Sequence, residues 1–294
     1  MSHTDYPVRH PQRRGQMSHT ANGCRVVTIS LIFFVVANLI WLGMPFGMAI
    51  LWSLVDPAHP WSYPDIFPPV LSFSRWLLVW EKTSLSEALF NSYTIAPAVA
   101  VASLLLSLPT AYAFGRMTFR GKAVAEMLTL IPLVMPGMLI GIFFSAMLIN
   151  LNIDNAFISI VIGHTVLTLP YSIRIMSAGF KSVPQDLIDA SRDLGSGAWD
   201  TFCNAYLPLL KPSFLAALIF CLVRSLEEFS ISYVLGAPDF ITVPTILYSF
   251  LGYSFVRPDA AVVSMILVIP NVILMVIIEK LLKGNYLSQS TGKA

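Results

Sequence analysis

The chain has 294 residues, of which 56% are hydrophobic and only 12% charged, and its formal net charge is +2. With a mean hydropathy of +0.72 this excludes an ordinary soluble domain, in which about a quarter of residues are charged. No basic tract is dense enough for a nucleic-acid partner. The three cysteines, Cys24, Cys203 and Cys221, lie at or in the spans, lack paired spacing and read as small apolar residues.

A bilayer core takes roughly 20 apolar residues of helix. Six stretches meet or approach that length, at about 26–52, 91–115, 123–149, 156–178, 213–235 and 259–282. The expected fold is therefore all-α, a polytopic membrane protein with six transmembrane helices. Residues 1–24 read as a polar tail, 25–284 as the membrane domain and 285–294 as a second tail. The apolar run of the first span exceeds the h-region of a secretory signal and no small-residue cleavage site follows it, so it is expected to be retained.

Loop charge orients the spans. Of the 18 Lys and Arg residues, fourteen fall on the side of the N-terminus, three (Arg75, Lys82, Arg257) on the other, and Arg224 within a span. The positive-inside rule then places both termini in the cytoplasm. The segment 53–90 is external, and its Trp52, Trp61, Trp76 and Trp80 suit an interfacial anchor or a docking face for an external partner.

The stretch 181–212 interrupts the apolar pattern on the cytoplasmic side. Ser182 and Gln185 have capping-box spacing, with Pro184 between them and Asp186 and Asp189 following. Leu187, Ile188, Ser191 and Leu194 recur at helical spacing on one side, and Gly195 stands where a left-handed cap belongs. A second short helix is expected from residue 197 or 198 to about 206, broken by Pro208 and Pro212 before the next span. Three aspartates against one arginine suit the anionic inner leaflet poorly, whereas Ala190, Ser191, Gly195 and Gly197 permit close approach of a partner backbone.

The sequence Asp189-Ala190-Ser191, three residues, Gly195, nine residues, then Ala205-Tyr206-Leu207-Pro208 resembles the coupling signature of permease subunits of bacterial ATP-binding cassette (ABC) importers. That signature is usually Glu-Ala-Ala, three residues, Gly, nine residues, Ile-x-Leu-Pro. The gap lengths match, and Asp189, Ser191 and Ala205 are the departures. Asn91-Ser92, Ala111 to Arg116, Ile131 to Pro136, Gly163 to Tyr171 and Ser225-Leu226-Glu227-Glu228-Phe229 extend the resemblance to the second permease of the spermidine/putrescine-type branch. It implies a type I importer fold with a coupling helix at about 184–200, and makes Leu187, Asp189, Ala190, Ser191, Asp193, Gly195, Leu207 and Pro208 the residues that couple to the ATPase. It also implies three protein partners: a cytoplasmic ABC ATPase dimer, a second permease subunit in a heterodimer, and a periplasmic solute-binding protein. The location would be the bacterial inner membrane among its lipids.

Arg224, Glu227 and Glu228 lie within the fifth span, where an unpaired charge costs about 3 kcal/mol. Arg224 is four residues from Glu228 and three from Glu227, so one carboxylate is expected to be neutralised within the helix. The cluster reads either as a paired structural element or, with Ser225 and His164, as the lining of a translocation path. A surplus carboxylate would suit a cationic solute; opines, amino-acid derivatives, phosphonates and ferric iron stay open. His164 alternatively hydrogen-bonds within the bundle. Pro132, Pro136 and Pro170 are expected to bend spans three and four.

The nearest approach to a phosphate-binding loop, Gly115 to Gly121-Lys122-Ala123, has one residue too many and ends in Ala. No catalytic or metal-binding signature is present, so the chain is expected to be no enzyme and to bind no cofactor, ATP being bound and hydrolysed by a separate subunit. A proton-coupled secondary transporter using Glu227, Glu228 and His164 is the rival from another class, disfavoured by the lack of an inverted repeat. A membrane enzyme is disfavoured because polar residues do not gather at one membrane face.

Overall fold

The computed structural model describes the backbone of residues 17–290 and the side chains of 28–277, Glu279 and Lys280. Most of the tail expected at 1–24, the end of the one expected at 285–294, and orienting charges such as Arg9, Arg13, Arg14 and Lys293 lie outside the described residues. The chain divides into two compact units, Met1–Leu51 and Trp52–Ala294.

The first unit is built on helix α1 (Met17–Ser53). From Ile29 to Ile50 its large apolar side chains are exposed on every side. A helix apolar all round, with no polar stripe, is one whose solvent is hydrocarbon.

The second unit is helical, and the only β pairing among its described residues is an isolated bridge between Val55 and Leu71. Its elements are α2 (Ser74–Lys82), α3 (Leu85–Arg116), α4 (Lys122–Leu128), α5 (Ile131–Val134), α6 (Gly137–Asn150), α7 (Ala156–Ser182), α8 (Gln185–Asp193), α9 (Ala198–Thr201), α10 (Leu207–Leu226), α11 (Ser230–Gly236), α12 (Val243–Tyr248) and α13 (Arg257–Ser290). Five helices among the described residues are long and apolar enough to span a membrane, and six if one bent pair counts as a span. That pair is the expected third span: 122–134 and 137–150 meet at an angle of 97°. Met135 and Pro136 are both extended there, because the Pro136 ring bars its predecessor from helical geometry.

Helices α3, α7 and α10 pack pairwise into the central bundle. Their shared core contains Leu104, Ala111, Met176, Phe180, Leu210 and Ala217. Lipid tails supply no hydrophobic drive for helix association, so close approach and hydrogen bonds supply it. A Cβ on Gly179 would overlap Ser213, which shows how tightly α7 meets α10. Between α3 and α7, the hydroxyls of Ser103 and Thr168 pair at 2.7 Å, as do those of Ser107 and Ser172 one turn further on.

The external segment is tied together by specific bonds. Arg75 donates to the Val55 carbonyl at 2.8 Å and forms an ion pair with Asp259 at 2.6 Å. The Trp76 indole donates to the Ser53 carbonyl at 3.1 Å. The start of α2 is thereby fixed to the start of α13.

Candidate functional site

Two places concentrate polar and irregular structure: the insert between α7 and α10, and the break between α10 and α11.

In the insert, α8 does not begin with the expected capping box. Pro184 occupies the cap position with extended geometry, and the Ser182 hydroxyl instead donates to the Gly179 carbonyl at 2.8 Å. Val183, extended because it precedes proline, turns Ser182 back onto α7. The C-terminal expectation holds in detail. Gly195 has φ +84°, its N–H donates to Arg192 O at 2.8 Å, and Ser196 N–H donates to Ser191 O at 3.1 Å. These two bonds make a Schellman motif, which a glycine adopts without Cβ strain.

The apolar side of α8 divides in a way that spacing did not predict. Ile188 is 1% exposed and packs with Phe180, Val183, Tyr206 and Leu210. Leu187 and Leu194 point away from this core and are exposed, as is Trp199 on α9. One side chain therefore anchors the helix while three large apolar ones face outward. Asp189, Ala190, Asp193 and Gly195 are also exposed and Ser191 is half-buried. Nor do Pro208 and Pro212 break the chain before the span. Residues 202–206 form a π-helical turn that runs directly into α10. Leu207 N–H bonds five residues back, to Phe202 O, so the ladder has already shifted where Pro208 supplies no donor. Leu207 is half-buried and Pro208 exposed.

The expected fifth span is also interrupted. Helix α10 ends at Leu226 and α11 starts at Ser230. Glu228, 4% exposed, turns its carboxylate onto the start of α11. It accepts from the N–H groups of Ser230 (3.0 Å), Ile231 (2.8 Å) and Ser232 (3.2 Å). The His164 Nε2 atom lies 3.3 Å from the same carboxylate and 3.0 Å from the Ser232 hydroxyl, while Nδ1 lies 2.9 Å from that of Ser225. One imidazole, 1% exposed, thus joins α7, the end of α10 and the start of α11.

The expected pairing with Arg224 does not form. Among the described residues, no ion pair joins Arg224 to either glutamate. Arg224 is half-buried and Glu227 exposed. The physical reason is the break itself: Arg224–Glu228 geometry requires a continuous helix, and the three freed N–H groups of α11 lie at 2.8–3.2 Å from the Glu228 carboxylate.

Sequence reasoning missed a further feature beside Glu227. The rings of Phe229 and Tyr248 stack at 4.3 Å, Tyr233 lies 5.4 Å from Phe229, and the Tyr233 and Tyr253 hydroxyls meet at 2.9 Å. Nothing in the spacing pairs residues of α11 with those of α12 and the turn after it. Of the polar residues on α7, only His164 was singled out from the sequence; Thr168 and Ser172, which pair with Ser103 and Ser107, were missed although they recur every fourth position of an apolar helix.

Residues 105–284 match the family described as "Binding-protein-dependent transport system inner membrane component". The chain is 29% identical over 231 residues to a protein of Haemophilus influenzae described as a ferric transport system permease; the match covers 77% of this chain but 35% of that one, so the chain spans about a third of that relative's length. It is 24% identical over 220 residues to the spermidine/putrescine transport system permease protein PotC of Escherichia coli, covering 74% of this chain and 83% of that one. Among solved structures, a chain of a bacterial ABC transporter involved in the import of the acidic polysaccharide alginate superposes with a TM-score of 0.66 at 19% identity, covering 93% of this chain and 99% of the other. That likeness is one of fold.

Proposed function

The chain belongs to the family of binding-protein-dependent transport system inner membrane components, and from that premise we propose that it is the permease subunit of an ATP-driven importer. It crosses the inner membrane several times with both termini in the cytoplasm. Its partners are a cytoplasmic ATPase dimer, a second permease subunit and a periplasmic solute-binding protein. ATP is bound and hydrolysed by the ATPase, and this chain carries neither cofactor nor catalytic group.

The observation that carries this reading is the two-sided build of the 185–201 insert. Leu187 on α8, Leu194 at its end and Trp199 on α9 are exposed, and Gly195 closes α8 with a left-handed cap. Ile188 plugs the same helix into the cluster of Phe180, Val183, Tyr206 and Leu210. A push on the outer side reaches α7 and α10 because packed interiors transmit displacement rather than absorb it. Nucleotide-dependent closure of the ATPase pair then biases the spans between two arrangements.

For the solute we favour a small organic cation of the polyamine kind. Glu227 is exposed at the break of the span, and the neighbouring cluster of Phe229, Tyr233, Tyr248 and Tyr253 offers ring faces that attract cations. Arg224, three residues from Glu227, and Arg257, four residues from Tyr253, are charges nearby in sequence that oppose this.

Two experiments test the reading. Gly195→Pro cannot hold φ +84°; with the complex reconstituted in vesicles, ATP hydrolysis should persist while solute uptake falls about ten-fold or more. Normal coupled uptake in that variant would sink the docking argument. Separately, Glu227→Gln should raise the KM for spermidine uptake by about five-fold, the worth of one lost charge contact. A KM equal to that of the unmodified chain would mean that the solute does not meet this carboxylate.

A further inference from the structure

Beside the insert lies a cavity of about 480 Å³, lined by Arg192 of α8, Ala198 and Thr201 of α9, the turn that follows, and the adjoining ends of α3 and α7. This is the size of a small-molecule or single-chain site. Its floor is aromatic: Tyr112 lies 5.5 Å from Phe180 and 5.9 Å from Tyr206, ring centroid to centroid, and Phe180 lies 5.7 Å from Tyr206.

The polar groups at this floor are donors in excess. Arg192 lines the cavity and makes no ion pair among the described residues. Thr201, also lining it, is 3% exposed, and its hydroxyl oxygen has no hydrogen-bond partner. Arg116 does not line the cavity but lies against its wall, with its guanidinium 5.3 Å from the centre of the Tyr206 ring and its Nε 3.3 Å from the Tyr206 hydroxyl, while its buried Nη2 has no partner. No acidic side chain lines the cavity. A buried donor left unpaired is costly, and two guanidinium groups beside an apolar chamber favour a ligand that brings a negative head and an apolar body.

We infer that this cavity binds an anionic phospholipid, one acyl chain on the aromatic floor and the acidic headgroup at Arg192. The location favours a lipid over a water-borne acid, because the walls are the ends of spans and the insert that follows them, at the membrane surface. A lipid seated there would brace the insert. It would make coupling depend on lipid charge without touching the outward face of α8.

The test uses the full chain in phosphatidylcholine nanodiscs doped with phosphatidylglycerol that carries a diazirine on one acyl chain. After photolysis, label should concentrate on peptides covering 108–112 and 198–206. It should fall about five-fold in Arg192→Gln, the worth of one basic residue at an anionic surface. It should also fall in Thr201→Val, which keeps the side-chain shape and guards against misfolding as the cause. Unlabelled phosphatidylglycerol should compete and unlabelled phosphatidylcholine should not. Label no denser than on the exposed 28–51 segment, indifference to both substitutions, or labelling only by a free diazirine fatty acid would each overturn the assignment. No ATPase or uptake is measured, so failure here is distinguishable from failure of the importer reading.

Discussion

Replacing Glu228 by alanine tests the claim that the break in the fifth span is held by one carboxylate. The substitution removes the acceptor for three backbone N–H groups, of which those of Ile231 and Ser232 belong to buried residues. Loss of an exposed helix cap costs about 0.5–2 kcal/mol. Stranding donors in the interior costs more: two buried N–H groups at about 1–3 kcal/mol each give about 2–6 kcal/mol. Ser230 is half-buried, so water can replace its bond and little is added. His164 keeps its 2.9 and 3.0 Å contacts with the Ser225 and Ser232 hydroxyls, so its cost is also small. Against a total stability of about 5–15 kcal/mol, the loss is severe. At about 2–4 °C per kcal/mol, the thermal midpoint in detergent should fall by about 4–24 °C. Glu228→Gln keeps a carbonyl acceptor and should fall by less than half of that. A Glu228→Ala protein melting within about 2 °C of the unmodified one would refute the idea that this carboxylate organises α11.

Three other outcomes follow from the same geometry. Arg224→Ala should leave yield and melting temperature close to those of the unmodified chain, since among the described residues no carboxylate is paired with it; a large loss of folded protein would restore the ion-pair reading. Gly163→Ala places a Cβ 2.6 Å from Ile231 Cγ2, so α7 and α11 must separate, at a cost of about 1–3 kcal/mol read as a lower melting temperature. Arg75→Ala strands the Asp259 carboxylate and frees the Val55 carbonyl; at about 3–5 kcal/mol for a broken, largely buried pair, it should make the 53–73 segment sensitive to limited proteolysis while the bundle stays intact.

Much of this protein is legible before any coordinates. Membrane spans follow from the length of apolar runs, because a helix is the structure that satisfies its own backbone in hydrocarbon, and that is a local property. The Gly195 cap was equally local: a periodic helix followed by glycine has few other ways to end. The insert at 181–212 stood out because charge and small residues interrupt an apolar background.

Other features depended on contacts between segments. Spacing put Leu187, Ile188 and Leu194 on one side of α8, but only the bundle beneath decided that Ile188 turns in and the other two turn out. Spacing also allowed Arg224 to pair with Glu228. The tertiary structure offered Glu228 the unpaired N–H groups of α11 and the ring of His164 sixty-four positions earlier, and the carboxylate took those bonds. The aromatic cluster that joins Phe229 and Tyr233 to Tyr248 and Tyr253, and the cavity beneath Arg192, had no local signal at all. The sequence alone determined which segments are apolar and long enough to span a membrane and where a polar insert interrupts them, since both are set by the transfer free energy of single segments. Which polar groups meet inside was decided by tertiary packing, since buried donors and acceptors choose among whatever partners distant segments bring within 3 Å.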